Sequence, residues 1–161
     1  MASKHSAGIL LFRRGGEGEI EFLLVHPGGP FWRHKDRGAW TIPKGQIESE
    51  EEARACAIRE LEEELGEAPP LDPEQLIDLG AIRQRAGKLV EAWAAEAEFD
   101  PADLDSNTFS MEWPPRSGSE REFPEVDKAE WFDLETAREK ILPAQAELLY
   151  RLLERLGLAN P

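Results

Sequence analysis

Glu60, Glu63 and Glu64 stand at i, i+3 and i+4, so a helix running through them gathers three carboxylates on one face. Like charges at that spacing destabilise a helix by a few tenths of a kcal/mol per pair, and three together call for a cationic partner. A hard divalent ion answers that need: Mg²⁺ takes carboxylate oxygens and waters, and shares its remaining positions with the phosphates of a substrate. The chemistry implied is metal-assisted attack on phosphorus. Taken alone, a Glu-rich helix is more often a solvated acidic face, and only the spacing of its neighbours decides against that reading.

Those neighbours lie in GQIESEEEARACAIRELEEELG, residues 45–66, with Gly45, Glu51, Arg59-Glu60, Glu63-Glu64 and Gly66 as seven fixed positions. Their pattern resembles the signature box of the Nudix hydrolases, which cleave nucleoside diphosphates linked to another group. Two positions depart from that family: Glu67, where an apolar residue usually follows the last Gly, and Glu50, where many members have Gly. Neither carries the chemistry. The resemblance implies an α/β fold, a Nudix-type α/β/α sandwich with a mixed sheet between helices. It also implies Mg²⁺-dependent hydrolysis, with Mn²⁺ as a possible substitute, of a phosphoanhydride in a dinucleoside polyphosphate or nucleoside triphosphate by metal-activated water.

Within that scheme Glu60, Glu63 and Glu64 are ligands, Arg59 orients a Glu, Glu51 supports them, and the backbone carbonyl of Lys44 binds metal. Three glutamates on one helix cannot surround an ion that also binds phosphate, so a further oxygen must come from another element. In several members it is a Glu on the loop before the last strand, six residues ahead of a Trp. Glu125 stands six residues before Trp131, with Glu122 and Asp127 as competitors and a solvated loop charge as the other reading. The lead Trp40-Thr41-Ile42-Pro43-Lys44-Gly45 resembles the diadenosine-polyphosphate hydrolases of the family. Two rival functions remain: a catalytically silent nucleotide-sensing or protein-binding module on the same fold, and a simple acidic metal-binding domain without a pocket.

The elements that must position these residues follow from periodicity and punctuation. SAGILLFRR and IEFLLVHP are apolar runs around a Gly-rich turn at 15–18, which predicts a hairpin. Trp40 to Lys44 reads as a short strand that Pro43 ends, delivering the chain to Gly45. Ser49 followed by Glu52 resembles a capping box, which starts the helix near Glu50; Ala55, Ile58, Leu61 and Leu65 form its core face, and Gly66 stops it. Leu76–Gln84 and Leu89–Phe99 read as strands around the turn at Gly87, Val126–Phe132 as a last strand, and Leu134–Leu156 as helical with Pro143 opening a second helix.

Between the first hairpin and the box, residues 28–38 interleave aromatic and basic side chains: Phe31, Trp32, Arg33, Lys35 and Arg37. Stacking on a base with cations on phosphates is one reading, with Lys44 beside the box as a further substrate-binding candidate, and an ordinary surface loop is the other. Arg83, Arg85 and Lys88 form a small basic cluster, more simply solvated than phosphate-facing. His26 and His34 lack ligand spacing and read as structural or surface residues, and Cys56 as a buried filler. Residues 100–124 make a long Pro-, Ser- and charge-rich stretch whose Phe109 and Trp113 argue for a partly ordered substrate loop.

With 161 residues the chain reads as one domain, 1–161, large enough for a sizeable core. A net charge of −14 argues against nucleic-acid backbones and anionic membranes as partners, and leaves small phosphorylated nucleotides open, since metals and basic loops can reverse the local field. The run Ala7 to Phe12 is too short for a signal segment, and a single cysteine fits a reducing, cytoplasmic setting. Oligomeric state is open.

Overall fold

A computed structural model of the protein describes residues 5–158, so the domain bounds 1–161 extend past it at both ends. Strand β1 (His5–Arg14) lies at the centre of a six-stranded mixed sheet. It pairs in parallel with β5 (Leu89–Glu96) along one edge. Its other edge is shared. The C-terminal half pairs antiparallel with β2 (Ile20–Pro27), Phe12 facing Phe22, and the N-terminal half with β3 (Lys44–Gln46), Ala7 facing Gly45. β4 (Ile77–Arg83) and β8 (Val126–Asp133) close the two sides, in the order β4-β5-β1-β2-β8.

β1 reads as an unbroken apolar run because both of its faces are covered. Ile9 and Leu11 join one buried cluster with Leu61 and Leu65 of α1 (Ala53–Leu65). Leu10 and Phe12 join the other, with Leu148, Leu149 and Leu152 of α3 (Ala146–Arg155). The short helix α2 (Leu134–Lys140) supports that second layer through Ala137. The result is the expected α/β/α arrangement around a mixed sheet.

The hairpin β1–β2, both predicted middle strands and the last strand form as the sequence implies, and the strand reading of 89–99 prevails over a helix. Gly66 ends α1 at φ 86°, with its N–H donating to the Glu62 carbonyl. Residues 100–124, expected to be partly ordered, contain a small second sheet, β6 (Thr108–Glu112) against β7 (Glu120–Pro124).

Four local expectations need correcting. Trp40 and Thr41 make isolated bridges only, and the strand falls at Lys44–Gln46, because β1 has a free edge there. The Ser49/Glu52 capping box does not form: α1 starts at Ala53, Glu52 at its N-cap makes no side-chain bond, and a turn from Glu48 to Glu51 precedes it. Ala55 is exposed, whereas Cys56 and Ala57 are buried. Pro143 opens a single 3₁₀ turn, Pro143–Gln145, and α3 begins after it.

The rotated helix face can be tested on stability. Leu61→Ala is expected to cost about 2–5 kcal/mol in denaturant unfolding, the usual range for a buried Leu. Ala55→Gln is expected to stay within about 0.5 kcal/mol of the parent, as exposed positions do. An equal loss for both would restore the face that the sequence suggested.

Candidate active site

The carboxylates of α1 are organised by one cation. Arg59 Nε and Nη2 donate as a fork to Glu51 at 2.8 and 2.9 Å, and Nη1 is shared between Glu60 and Glu63 at 3.1 Å each. The same guanidinium reaches the Gln46 carbonyl at 3.3 Å, which ties the helix to β3. The fork, with the Glu48 N–H, holds the Glu51 carboxyl at about 2, well below the usual carboxylate range.

Glu60 is the closest fit. It is 9% exposed, and its carboxylate lies over Gly45, where a Cβ would come within 1.9 Å of Glu60 Cδ. Only glycine leaves that space, so the first and fourth fixed positions of the box are two sides of one contact. Burial and the charges of Glu63 and Glu125 raise the Glu60 carboxyl. Glu64, one turn on, is pushed up to about 8, chiefly by burial and then by Glu60 and Glu125 against the opposing pull of Lys44.

Glu125 reaches this group from the loop between β7 and β8. Its backbone N–H donates to the Asn107 carbonyl (2.8 Å), and the Asn107 N–H donates to the Glu63 carbonyl (2.9 Å). Residue 107 thus staples Glu125 to the helix that carries the other three glutamates. Burial and Glu63 raise the Glu125 carboxyl. Its competitors point elsewhere: Glu122 meets Thr108 at 3.5 Å in the small sheet, and Asp127 meets His26 Nδ1 at 2.7 Å.

Glu64 and Glu125 border a cavity of about 360 Å³ with Lys44, Lys88, Gln84 and Trp32. Burial lowers the Lys44 pKa. Of the residues proposed for substrate, Trp32 and Lys44 line this cavity, and Lys35 stands 5.2 Å over the Trp32 ring. Phe31 is 62% exposed and sets its edge on Trp113, ring centroids 5.6 Å apart. Arg33 lines an adjoining hollow with Trp113 and Arg121, and Arg37 is exposed. Lys88 alone of the second basic cluster lines the cavity. His26 is buried and holds the loop, since its Nε2 donates to the Lys35 carbonyl at 2.6 Å; His34 is exposed. The Cys56 thiol is pushed up to about 12 by burial, which leaves it inert.

Sequence reasoning missed Asn107, Gln84 and Gln145. All three act through backbone or amide contacts between distant segments, and no local pattern marks such contacts.

Among the described residues, no three His, Cys, Asp or Glu side chains already stand in a metal-holding arrangement. Glu60 and Glu63 are each turned to Arg59. The donor set nonetheless suits a hard divalent cation: all its atoms are oxygen, and burial and mutual repulsion raise the Glu60, Glu64 and Glu125 carboxyls.

Residues 3–152 match the NUDIX domain model. The chain belongs to the NUDIX family. Nudix domains are generally pyrophosphohydrolases of nucleoside diphosphate-linked substrates. A search of curated protein sequences finds no match. Among solved structures, a C. elegans Ap4A hydrolase binary complex is 25% identical with TM-score 0.64, covering 94% of this chain and 98% of that one. The NUDIX domain of Shewanella oneidensis NrtR, complexed with ADP ribose, is 18% identical with TM-score 0.63, covering 97% and 90%. A MutT/nudix family protein from Enterococcus faecalis is 16% identical with TM-score 0.66, covering 98% of this chain and 63% of that chain. No helix among the described residues is long and apolar enough to cross a membrane.

Two expected outcomes follow from this geometry. Gly45→Ala forces Glu60 off its seat and is expected to lower turnover by about a hundredfold or more while the circular dichroism spectrum is retained. Near-normal turnover would show that Glu60 does not need its seat. The second concerns Glu64. A carboxyl whose folded-state value lies above its ordinary 4.5 binds a proton on folding, so its contribution is intact below 4.5 and is lost as pH rises through about 8. In chelator, the melting temperature is therefore expected to fall more steeply between about pH 5 and about pH 8 in the parent than in Glu64→Gln. Parallel curves for the two proteins would contradict the assignment.

Proposed function

We propose that the whole chain acts as one divalent-metal-dependent pyrophosphohydrolase that cleaves a phosphoanhydride in a nucleotide substrate. The observation that carries this reading is the approach of Glu125, from a separate loop, to the helix glutamates at the edge of a cavity that also holds Lys44 and Lys88. A solvated acidic helix has no reason to bring a further carboxylate from another element into that group. Support for a polyphosphate chain between two nucleosides, with the bases left open, comes from the likeness to the C. elegans Ap4A hydrolase over nearly the full length of both chains. Nucleoside triphosphates are the alternative.

Glu60, Glu63, Glu64, Glu125 and the carbonyl of Lys44 would hold Mg²⁺ or Mn²⁺. When bound, the ion supplies charge neutralisation on the phosphate oxygens and makes water a better nucleophile. The chain's own residues do the rest. Arg59, anchored on Glu51, gathers Glu60 and Glu63 side by side on Nη1, from which their carboxylates would turn to the ion. Lys44 and Lys88 meet the negative charge of the polyphosphate in the cavity. Trp32, with Lys35 over its ring, offers a face for a base, and Phe31, Arg33 and Arg37 are the further candidates for substrate contact. The proton of the attacking water would pass to an ionised carboxylate oxygen of this cluster.

A Mg²⁺-supplemented screen of dinucleoside polyphosphates, nucleoside triphosphates and ADP-ribose, with product identification, tests the reading. In the same assay Glu63→Gln and Glu64→Gln are expected to lose several powers of ten in turnover. Glu125→Gln is expected to lower kcat and weaken the Mg²⁺ dependence, whereas Glu122→Gln leaves both unchanged. Equal effects at 122 and 125, or full activity in both helix variants, would remove the site.

A further inference from the structure

Gln145 is completely buried, and every bond it makes has a fixed direction. Its Oε1 accepts from the Ile42 backbone N–H at 3.0 Å. An N–H can only donate, so the carboxamide cannot be flipped, and the other end must be Nε2. That Nε2 donates to Gln84 Oε1 at 2.8 Å. The orientation of Gln84 is therefore fixed in turn: its carbonyl is engaged by Gln145, and its Nε2, with two N–H groups, makes no bond among the described residues. The backbone of Gln84 is held as well, its N–H donating to the Lys88 carbonyl at 2.6 Å across the tight turn Arg85–Gly87.

Gln84 borders the same cavity as Trp32, Glu64 and Glu125. On its apolar side this cavity has Val25, Val126 and Leu142, beside the indole of Trp32. The donors available there are the Lys44 and Lys88 ammonium groups, the Trp32 indole N–H and the Gln84 amide, and of the neutral ones the amide offers two N–H groups and is held from behind by a fully buried partner. Ammonium groups serve a phosphate as mobile point charges. A directed pair of neutral N–H groups beside an aromatic face instead suits the edge of a planar heterocycle.

We infer that Gln84, locked by Gln145, is a specificity-determining residue that offers only hydrogen-bond donors to the nucleobase, and so selects a base with a keto oxygen over one with an amino group. This rests on the nucleotide-hydrolase reading above. A base that turns a 6-amino group to this amide would set a donor against a donor there, a loss that discriminates more strongly than a missing apolar contact. Hypoxanthine and guanine, with a keto oxygen at the 6-position, are the purines that satisfy the amide there, and adenine, with an amino group at that position, is the one that it disfavours.

The test compares inosine with adenosine nucleotides, whose bases differ at the 6-position in carrying a keto oxygen or an amino group. Binding of IMP and AMP, which contain no anhydride to cleave, is measured by calorimetry with Mg²⁺ present, and kcat/KM is measured for ITP and ATP. The parent is expected to prefer the inosine member roughly ten- to a hundredfold. Gln84→Glu keeps an acceptor for Gln145 Nε2 but turns an oxygen into the cavity, and is expected to reverse the preference. Gln84→Ala is expected to bring the ratio near one. Added negative charge weakens both nucleotides of a pair alike, so the ratio isolates the base. A ratio unchanged across the three proteins, a parent that favours adenosine, or no binding of either monophosphate overturns the inference. Base discrimination in binding with no turnover of any nucleotide would count against hydrolysis and leave the role of Gln84 standing.

Discussion

The guanidinium of Arg59 is the interaction on which the site depends. It forks onto Glu51, divides Nη1 between Glu60 and Glu63, and touches the Gln46 carbonyl. Each fixed position of the box then has a physical duty: Gly45 leaves room for the Glu60 carboxylate, Glu51 anchors the guanidinium, and Gly66 takes the positive-φ conformation that ends the helix. One cation among so many carboxylates does not balance them. Glu64 and Glu125 lie outside its reach and repel each other as well as Glu60. The surplus negative charge faces the cavity, which is why a phosphate approaching it needs Lys44, Lys88 and a divalent ion.

Strand β1 turns that local arrangement into a rigid one. Its second edge is divided between β2 and β3, so the register of β3, Ala7 opposite Gly45, is fixed by the central strand of the sheet. Gly45 is thereby held beneath α1, while Leu61 and Leu65 pack that helix onto Ile9 and Leu11 of the same strand. Glu125 is brought in by the backbone of Asn107 and not by packing, so its distance from the helix is set by two main-chain hydrogen bonds. Positioning by main chain leaves the carboxylate itself uncommitted.

Features with a short period or a local rule were legible in the sequence: the apolar strands, the hairpin, the glycine stop of α1 and the carboxylate spacing. The start of α1 was not, because the turn Glu48–Glu51 is stabilised from a distance, Arg59 gripping Glu51, and this outcompetes a Ser49 cap. The error over Ala55 has a related cause. Placing the core face opposite the carboxylates assumes that carboxylates face solvent. Here Glu60 is itself buried over Gly45, so the apolar stripe lies beside the acidic one and takes in Cys56 and Ala57. Residues 28–38 were legible as a loop of interest, yet their composition does not say which aromatic turns inward. Trp32 does, because the buried His26 grips the Lys35 carbonyl and fixes the path of the loop.

The two glutamines show why the cavity could not be read from motifs at all. Gln145 binds Ile42, two residues before Lys44, and with its other end binds Gln84 at the close of β4. One buried side chain therefore sets the spacing between the carbonyl that precedes the box and the amide on the far side of the cavity. An ionisable residue in place of Gln84 would couple to Glu64 and Glu125 and change with their protonation. A neutral amide, oriented by a second amide that water does not reach, supplies direction without disturbing that field. In a cavity whose charge is already dominated by carboxylates and lysines, that independence lets recognition of the base vary separately from handling of the phosphates.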